Sequence, residues 1–181
     1  TRVDLNEQRG AVPVAEGRRT QARYRRGKEV GKGGHGIVTL VYDTDIGRRV
    51  ALKTLRSGTK ASTKEMERFI EEVQVTGQLE HPNVVPVHEL GSMESGEVFF
   101  TMKLVEGRTL EQVVAGLRKG VPAIRKAFNR NRLISILQSV CQGVGFAHAK
   151  GVVHRDLKPA NIMLGDFGEV LVMDWGLAKV K

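Results

Sequence analysis

The chain has 181 residues, 40% hydrophobic and 27% charged, an ordinary globular balance that is long enough to bury a core and excludes a low-complexity chain. No run of eighteen apolar residues occurs, and Cys141 is the only cysteine, so the sequence holds neither a membrane-crossing helix nor an internal disulfide and fits a reducing, cytoplasmic setting. The net charge of +9 is concentrated in residues 1–28 and 118–132; neither stretch interleaves aromatics or carries a nucleic-acid motif, so solvated tails and loops are preferred over a nucleic-acid or membrane-surface module.

Residues 1–22 show neither the helical nor the strand period and read as an irregular tail; the chain opens on Thr1, so a natural start further upstream is expected. Tyr24 to Gly31 reads as a strand. It runs into Gly31-Lys32-Gly33-Gly34-His35-Gly36-Ile37-Val38, a G-x-G-x-x-G-x-V pattern. Alone, G-x-G-x-x-G is weak, and a dinucleotide fingerprint requires it to open into a helix. Here Ile37 to Tyr42 is β-branched and predicts a second strand. The pattern is therefore strand, glycine turn, strand, and glycines in such a turn let backbone approach a neighbour without Cβ clashes. His35 reads as an exposed turn residue. Arg48 to Thr54 is a third strand carrying Val50-Ala51-Leu52-Lys53.

Ser62 to Leu79 predicts a helix, opened by the capping box Ser62-x-x-Glu65, with Phe69, Val73, Thr76 and Leu79 at helical spacing. Val84 to Leu90 and Glu97 to Lys103 read as two more strands. Thr109 to Leu117 is a short helix. The basic segment 118–130, with Pro122 inside it, reads as irregular. Arg132 to Lys150 is an amphipathic helix with Leu133, Ile136, Leu137, Val140, Val144 and Ala147 on its apolar face. Cys141 and His148 read as packing residues rather than metal ligands, because no zinc spacing is present. Gly151 caps this helix.

His154 to Gly176 reads HRDLKPANIMLGDFGEVLVMDWG. It places a base candidate, Asp156, before an ammonium, Lys158, an amide, Asn161, and a later carboxylate, Asp174. Asn161 and Asp174 are hard oxygen ligands, suited to Mg²⁺. Asp166-Phe167-Gly168 lies in a turn-rich stretch between two short strands, Ile162–Leu164 and Val170–Met173, and reads as the tip of a hairpin. Asp174 stands where the second strand ends, thirteen residues after Asn161.

The glycine turn, Val50 to Lys53 and the HRDLKPAN stretch followed by Asp-x-Gly, in this order, resemble the protein kinases, and Lys158 resembles the serine/threonine branch. The resemblance covers residues 23–181 and implies an α+β, protein-kinase-like fold. It predicts a five-stranded antiparallel small lobe with one main helix over 23–105 and the start of a mainly helical large lobe over 106–181, with the chain stopping before the activation segment. It implies ATP- and Mg²⁺-dependent phosphoryl transfer to Ser/Thr hydroxyls of a protein substrate, with the piece itself expected to be inactive alone and to expose apolar surface on its 132–150 helix.

The resemblance also implies the roles. Gly31, Gly33, Gly34 and Gly36 would cover the phosphates. Lys53 would hold the α- and β-phosphates and pair with Glu72, nine residues before His81, with Glu71 as the competing assignment. Val30, Val38, Ala51 and Met163 would sandwich adenine, Met102 would stand at the back of its pocket, and Lys103 to Val105 would offer it backbone. Asp156 and Lys158 would be catalytic, Asn161 and Asp174 would hold the metal, and Asp166 would not. Arg155 resembles the arginine that pairs with a phosphorylated activation loop, and His154 is expected to pack under Trp175. Trp175 and Thr76 depart from the usual Phe and larger apolar residue. They motivate the alternative of a pseudokinase or nucleotide-binding scaffold. Relatives often carry a membrane anchor further along, so a cytoplasmic domain of an anchored parent is within the expectation.

Overall fold

The computed structural model describes residues 23–33 and 36–180; the expected tail 1–22, together with Gly34 and His35 of the glycine turn, lies outside them. The chain divides into two compact units, one made by residues up to Glu65 with His88–Met102, the other by Met66–Val87 with Lys103 onward.

The first unit is built on strands β1 (Tyr24–Gly33), β2 (Gly36–Asp43), β3 (Arg48–Thr54), β4 (Val87–Ser92) and β5 (Val98–Lys103), which form a five-stranded sheet in the order β1-β2-β3-β5-β4. β1 and β2 pair antiparallel around the glycine turn, and β2 pairs antiparallel with β3. Alternation sorts the two faces. Val41 lies opposite Val50, and these two join Tyr24, Leu52 and Phe99 in a buried cluster. Tyr24 meets Phe99 edge-on, with ring centroids 5.7 Å apart. The β2–β3 turn is anchored by Arg23, whose Nε and Nη2 grip the buried Asp43 at 3.0 and 2.9 Å while Nη1 reaches Glu89. That bidentate grip holds the Asp43 carboxyl below its usual range.

Helix α1 (Thr63–Gly77) starts where the sequence predicts: Glu65 accepts from the Ser62 N–H at 2.8 Å, and the Ser62 hydroxyl accepts from the Glu65 N–H at 3.3 Å. Its buried positions are Phe69, Glu72, Val73, Val75 and Thr76. Thr76 hydrogen-bonds back to the Glu72 carbonyl at 2.7 Å, which satisfies a hydroxyl at a place where a larger apolar side chain is usual.

In the second unit, α2 (Leu110–Arg118), α3 (Pro122–Ala127) and α4 (Arg130–Ala149) accompany a three-stranded sheet in the order β6-β8-β9, made of β6 (Gly107–Thr109), β8 (Ile162–Gly165) and β9 (Val170–Val172). A two-stranded pair joins β7 (Val152–Val153) to β10 (Lys179–Val180). The core gathers Val84, Val113, Ile136, Val140, Ala147, Leu164, Val172 and Trp175, among others. The expected strand from Val84 begins at Val87 instead. Val84 and Val85 run beside Val172, and the Val85 N–H donates to the Val172 carbonyl at 3.1 Å. Asn83 ties this segment to the hairpin, its Nδ2 donating to the Val170 carbonyl and its own carbonyl accepting from Val172. A side chain at Gly143 on α4 would come within 3.0 Å of the Asn83 carbonyl oxygen, so the glycine lets the helix pack against that turn.

Two expectations are corrected here. The basic segment is not irregular: it holds α3, with Pro122 in the first turn where its missing N–H costs nothing. Leu137 and Cys141 are exposed; the packed face of α4 is Ile136, Val140, Gly143 and Ala147. Gly151 does end α4, at φ +79° and donating to the His148 carbonyl.

Candidate active site

Within the first unit the register decides which side chains share a face. Val38 lies opposite Lys53, Leu40 opposite Ala51, and Gly31 opposite Val38. These form the face away from the Val41–Val50 cluster. Ala51, Lys53 and Met102 are buried, Val38 is half-buried and Val30 is exposed. Lys53 runs close to Gly36 at the start of β2. A Cβ at Gly36 would sit 3.5 Å from Lys53 Cε and only 2.3 Å from the Thr54 carbonyl oxygen, and Gly36 holds φ +150°. Only glycine permits that approach. The Lys53 ammonium lies 5.6 Å from the centre of the Phe100 ring.

Within the second unit the hairpin forms as expected. Asp166, Phe167 and Gly168 make its exposed tip, and Phe167 is 96% exposed. Asp174 follows β9 and returns beside Asn161: the Met173 N–H donates to the Asn161 carbonyl at 2.8 Å. The Asn161 backbone is thus joined to the residue before Asp174, while Asp166 lies at the exposed tip of the hairpin. Met163 and Val105 are both half-buried, and Met163 pairs with Thr109 and Leu171.

The segment 154–161 is held by its own polar groups. His154 is buried. Its Nε2 lies 3.0 Å from the Met173 carbonyl, which only accepts, so Nε2 carries the proton. Nδ1 is then the acceptor for the Asp156 N–H at 3.3 Å. The neutral ring satisfies both contacts, and burial holds its pKa below the usual imidazole value. One residue thus fixes the backbone next to Asp156 and next to Asp174. Its ring lies against Trp175, with centroids 4.5 Å apart. Trp175 is almost wholly buried.

Asp156 receives Lys158 Nζ at 2.7 Å and Asn161 Nδ2 at 3.1 Å, both on Oδ2, while Nδ2 also donates to its backbone carbonyl at 2.9 Å. The Lys158 bond is the main reason the Asp156 carboxyl is held below its usual range, and the same bond raises Lys158. At neutral pH the pair is a carboxylate and an ammonium. With its Nδ2 donating to Asp156, Asn161 keeps its amide oxygen, Oδ1, as an acceptor. Asn161 Oδ1 and the Asp174 carboxylate are a hard donor set, so the residues present fit Mg²⁺. Arg155 and Asp174 are the two non-glycine residues with positive φ among those described, at 63° and 61°. Asp tolerates that conformation better than most residues; for Arg155 it is maintained by bonds from its guanidinium to the Leu177 and Ala178 carbonyls.

Sequence reasoning passed over Gly176. A Cβ there would stand 3.0 Å from Glu72 Oε2 and 3.5 Å from Asp174 Oδ1. Its missing side chain lets the buried Glu72 carboxylate and Asp174 come close to the same backbone. The signal was the glycine after Asp174, read only as part of a motif.

The profile of the protein kinase domain matches residues 24–181. The chain belongs to the protein kinase family. Kinases of this family generally use ATP and Mg²⁺ and act on proteins. Among curated relatives, the serine/threonine-protein kinase PknD of Protochlamydia amoebophila is 40% identical over 156 residues, covering 84% of this chain and 16% of the relative. PknD of Chlamydia trachomatis serovar D is 38% identical over 162 residues, 88% of this chain and 17% of the relative. PknD of Chlamydia felis is 38% identical over 155 residues, 84% of this chain and 16% of the relative. This kinase chain therefore spans about one sixth of the length of these relatives. Among the described residues no helix is long and apolar enough to cross a membrane.

Proposed function

We propose that this chain supplies the nucleotide- and metal-handling residues of a serine/threonine protein kinase, transferring the γ-phosphoryl group of ATP to a Ser or Thr hydroxyl of a protein. The observation that carries the reading is the ionised Asp156, bonded by Lys158 and Asn161, with Asp174 returned to the same Asn161 by the hairpin. The names of the relatives support the choice of hydroxyl acceptor.

Phosphoryl transfer asks the protein for alignment and charge neutralisation more than for covalent chemistry. In the proposed assignment Asn161 and Asp174 hold Mg²⁺, which when bound neutralises phosphate charge. Lys158 leaves its contact with Asp156 to meet the transferring phosphate. Asp156 orients the substrate hydroxyl through Oδ1 and takes its proton late, so a low pKa is no obstacle. Lys53 is assigned to the α- and β-phosphates with Glu72 as counter-charge, and the backbone of Gly31, Gly33, Gly34 and Gly36 to covering them. Val30, Val38, Ala51, Met102, Val105 and Met163 are assigned to adenine.

The alternative is a nucleotide-binding scaffold without transfer. Asp156→Asn in the full-length protein separates the two: phosphate incorporation into protein is lost while ATP binding persists. Incorporation that survives the substitution removes Asp156 from the mechanism.

A further inference from the structure

The hairpin tip and the α3–α4 corner form a surface that phosphoryl transfer does not use. Residues 118–132 hold six Lys or Arg and no Asp or Glu. Folding displays this charge. Ile124 packs on α2, within 3.0 Å of where a Cβ at Gly116 would stand, and Phe128 packs on the core, so Arg125 and Lys126 are turned to solvent. The Arg125 guanidinium lies over Gly120, 3.3 Å from an added Cβ, beside Lys119. Arg130 is exposed at the start of α4, and Arg132 Nη2 reaches the Gly168 carbonyl at 3.5 Å. That contact sets Arg132, in the first turn of α4, against the hairpin tip, where Phe167 has the highest exposure of the large apolar side chains described. Of the acids at the tip, Glu169 is engaged by Lys103 at 2.9 Å, and Asp166 is exposed.

We infer that this corner docks an acidic segment of a partner protein that carries one large apolar side chain. The apolar side chain seats on Phe167, and the carboxylates meet Arg125, Lys126, Arg130 and Arg132. One ring is not a stacking platform for successive bases. On α3 itself Ile124 and Phe128 pack inward and only Val121, at its cap, is an exposed large apolar residue, too small an apolar face to enter a lipid surface. An extended peptide matches one ring and several separate charges. Reading the partner as the protein substrate rests on the proposed kinase activity; the docking itself does not.

The probe is a short fluorescein-labelled peptide rich in Glu with one central Leu, followed by anisotropy with the whole chain. Binding weakens as salt rises. The pair Lys126→Glu and Arg130→Glu lowers affinity about tenfold or more. Phe167→Ser lowers it about fivefold without changing the salt dependence. All three side chains are exposed, and circular dichroism confirms that the variants fold. No binding at low salt, affinity unmoved by both sets of changes, or equal or tighter binding of a short DNA duplex or of phosphatidylserine vesicles overturns the inference. Phosphorylation by the full-length protein of a peptide lacking the acidic segment reads the kinase activity separately, so either claim fails alone.

Discussion

Replacing His154 with Ala removes the contacts that join the Asp156 and Asp174 segments. The side chain is almost fully buried, donates to the Met173 carbonyl at 3.0 Å, accepts from the Asp156 N–H at 3.3 Å and packs against Trp175. Two lost hydrogen bonds contribute about 1 kcal/mol each, and each leaves a poorly solvated partner that adds to the cost. Loss of the ring contact adds about 1 kcal/mol. The total is about 3–5 kcal/mol, a large share of the ~5–15 kcal/mol that holds an ordinary domain together. Trp175 is the only tryptophan and lies beside the imidazole, so its fluorescence follows urea unfolding of this segment directly. The pH dependence has a definite sign. Burial keeps the folded-state pKa of His154 below the unfolded value, so the unfolded chain takes up a proton first as pH falls. The stability from the neutral ring is full above about pH 6.5 and declines as pH drops from there toward the folded pKa. The gap between parent and variant therefore narrows on going from neutral to mildly acidic pH. His88 is also lowered by burial, but it is common to both proteins and cancels in the difference. An unchanged urea midpoint, or a gap that is the same at both pH values, refutes the reasoning.

Asp174→Asn keeps a side chain that tolerates φ near 61° and removes the charge, so Mg²⁺-dependent ATP binding weakens with stability nearly intact. A unit charge pair at about 4 Å and intermediate dielectric is worth about 4 kcal/mol, and half-exposure leaves about 2 kcal/mol, roughly a 30-fold loss measured by calorimetry. Asp166→Asn at the exposed tip leaves that affinity unchanged; the reverse pattern would mean that the hairpin assignment is wrong. On α4, Ile136→Ala costs about 3 kcal/mol in a urea melt because it empties a fully buried site, whereas Leu137→Ala, 55% exposed, stays within about 0.5 kcal/mol. Equal effects at the two positions would reject the packed face described here.

The hairpin and the antiparallel β1–β2 pair were legible because their signals are local. β-branched runs flank turn residues, and the register that separates Asp166 from Asp174 follows from counting along two short strands. α3 was hidden because Val121 gives no side-chain cap and Pro122 reads as a breaker unless its place in the first turn is known. The three-residue β6 exists through pairing with β8, a long-range partner that Gly107, Arg108 and Thr109 do not announce. The apolar stripe on α4 is wider than the face it packs: Leu137 stands exposed, in line with the apolar surface expected on this helix, whereas Cys141, expected to pack, is exposed too. The positive φ of Arg155 has no sequence signal at all, since it is maintained by carbonyls 22 and 23 residues away.

The central claim is that Asn161 and Asp174, rather than the aspartate at the tip, meet the metal. Mn²⁺ added with ATP to the ¹⁵N-labelled chain tests it by paramagnetic broadening in NMR spectra. The account predicts that the Asn161 side-chain amide and the Asp174 backbone amide broaden first while Asp166 to Gly168 stay sharp. Broadening at the tip with Asn161 untouched would contradict it.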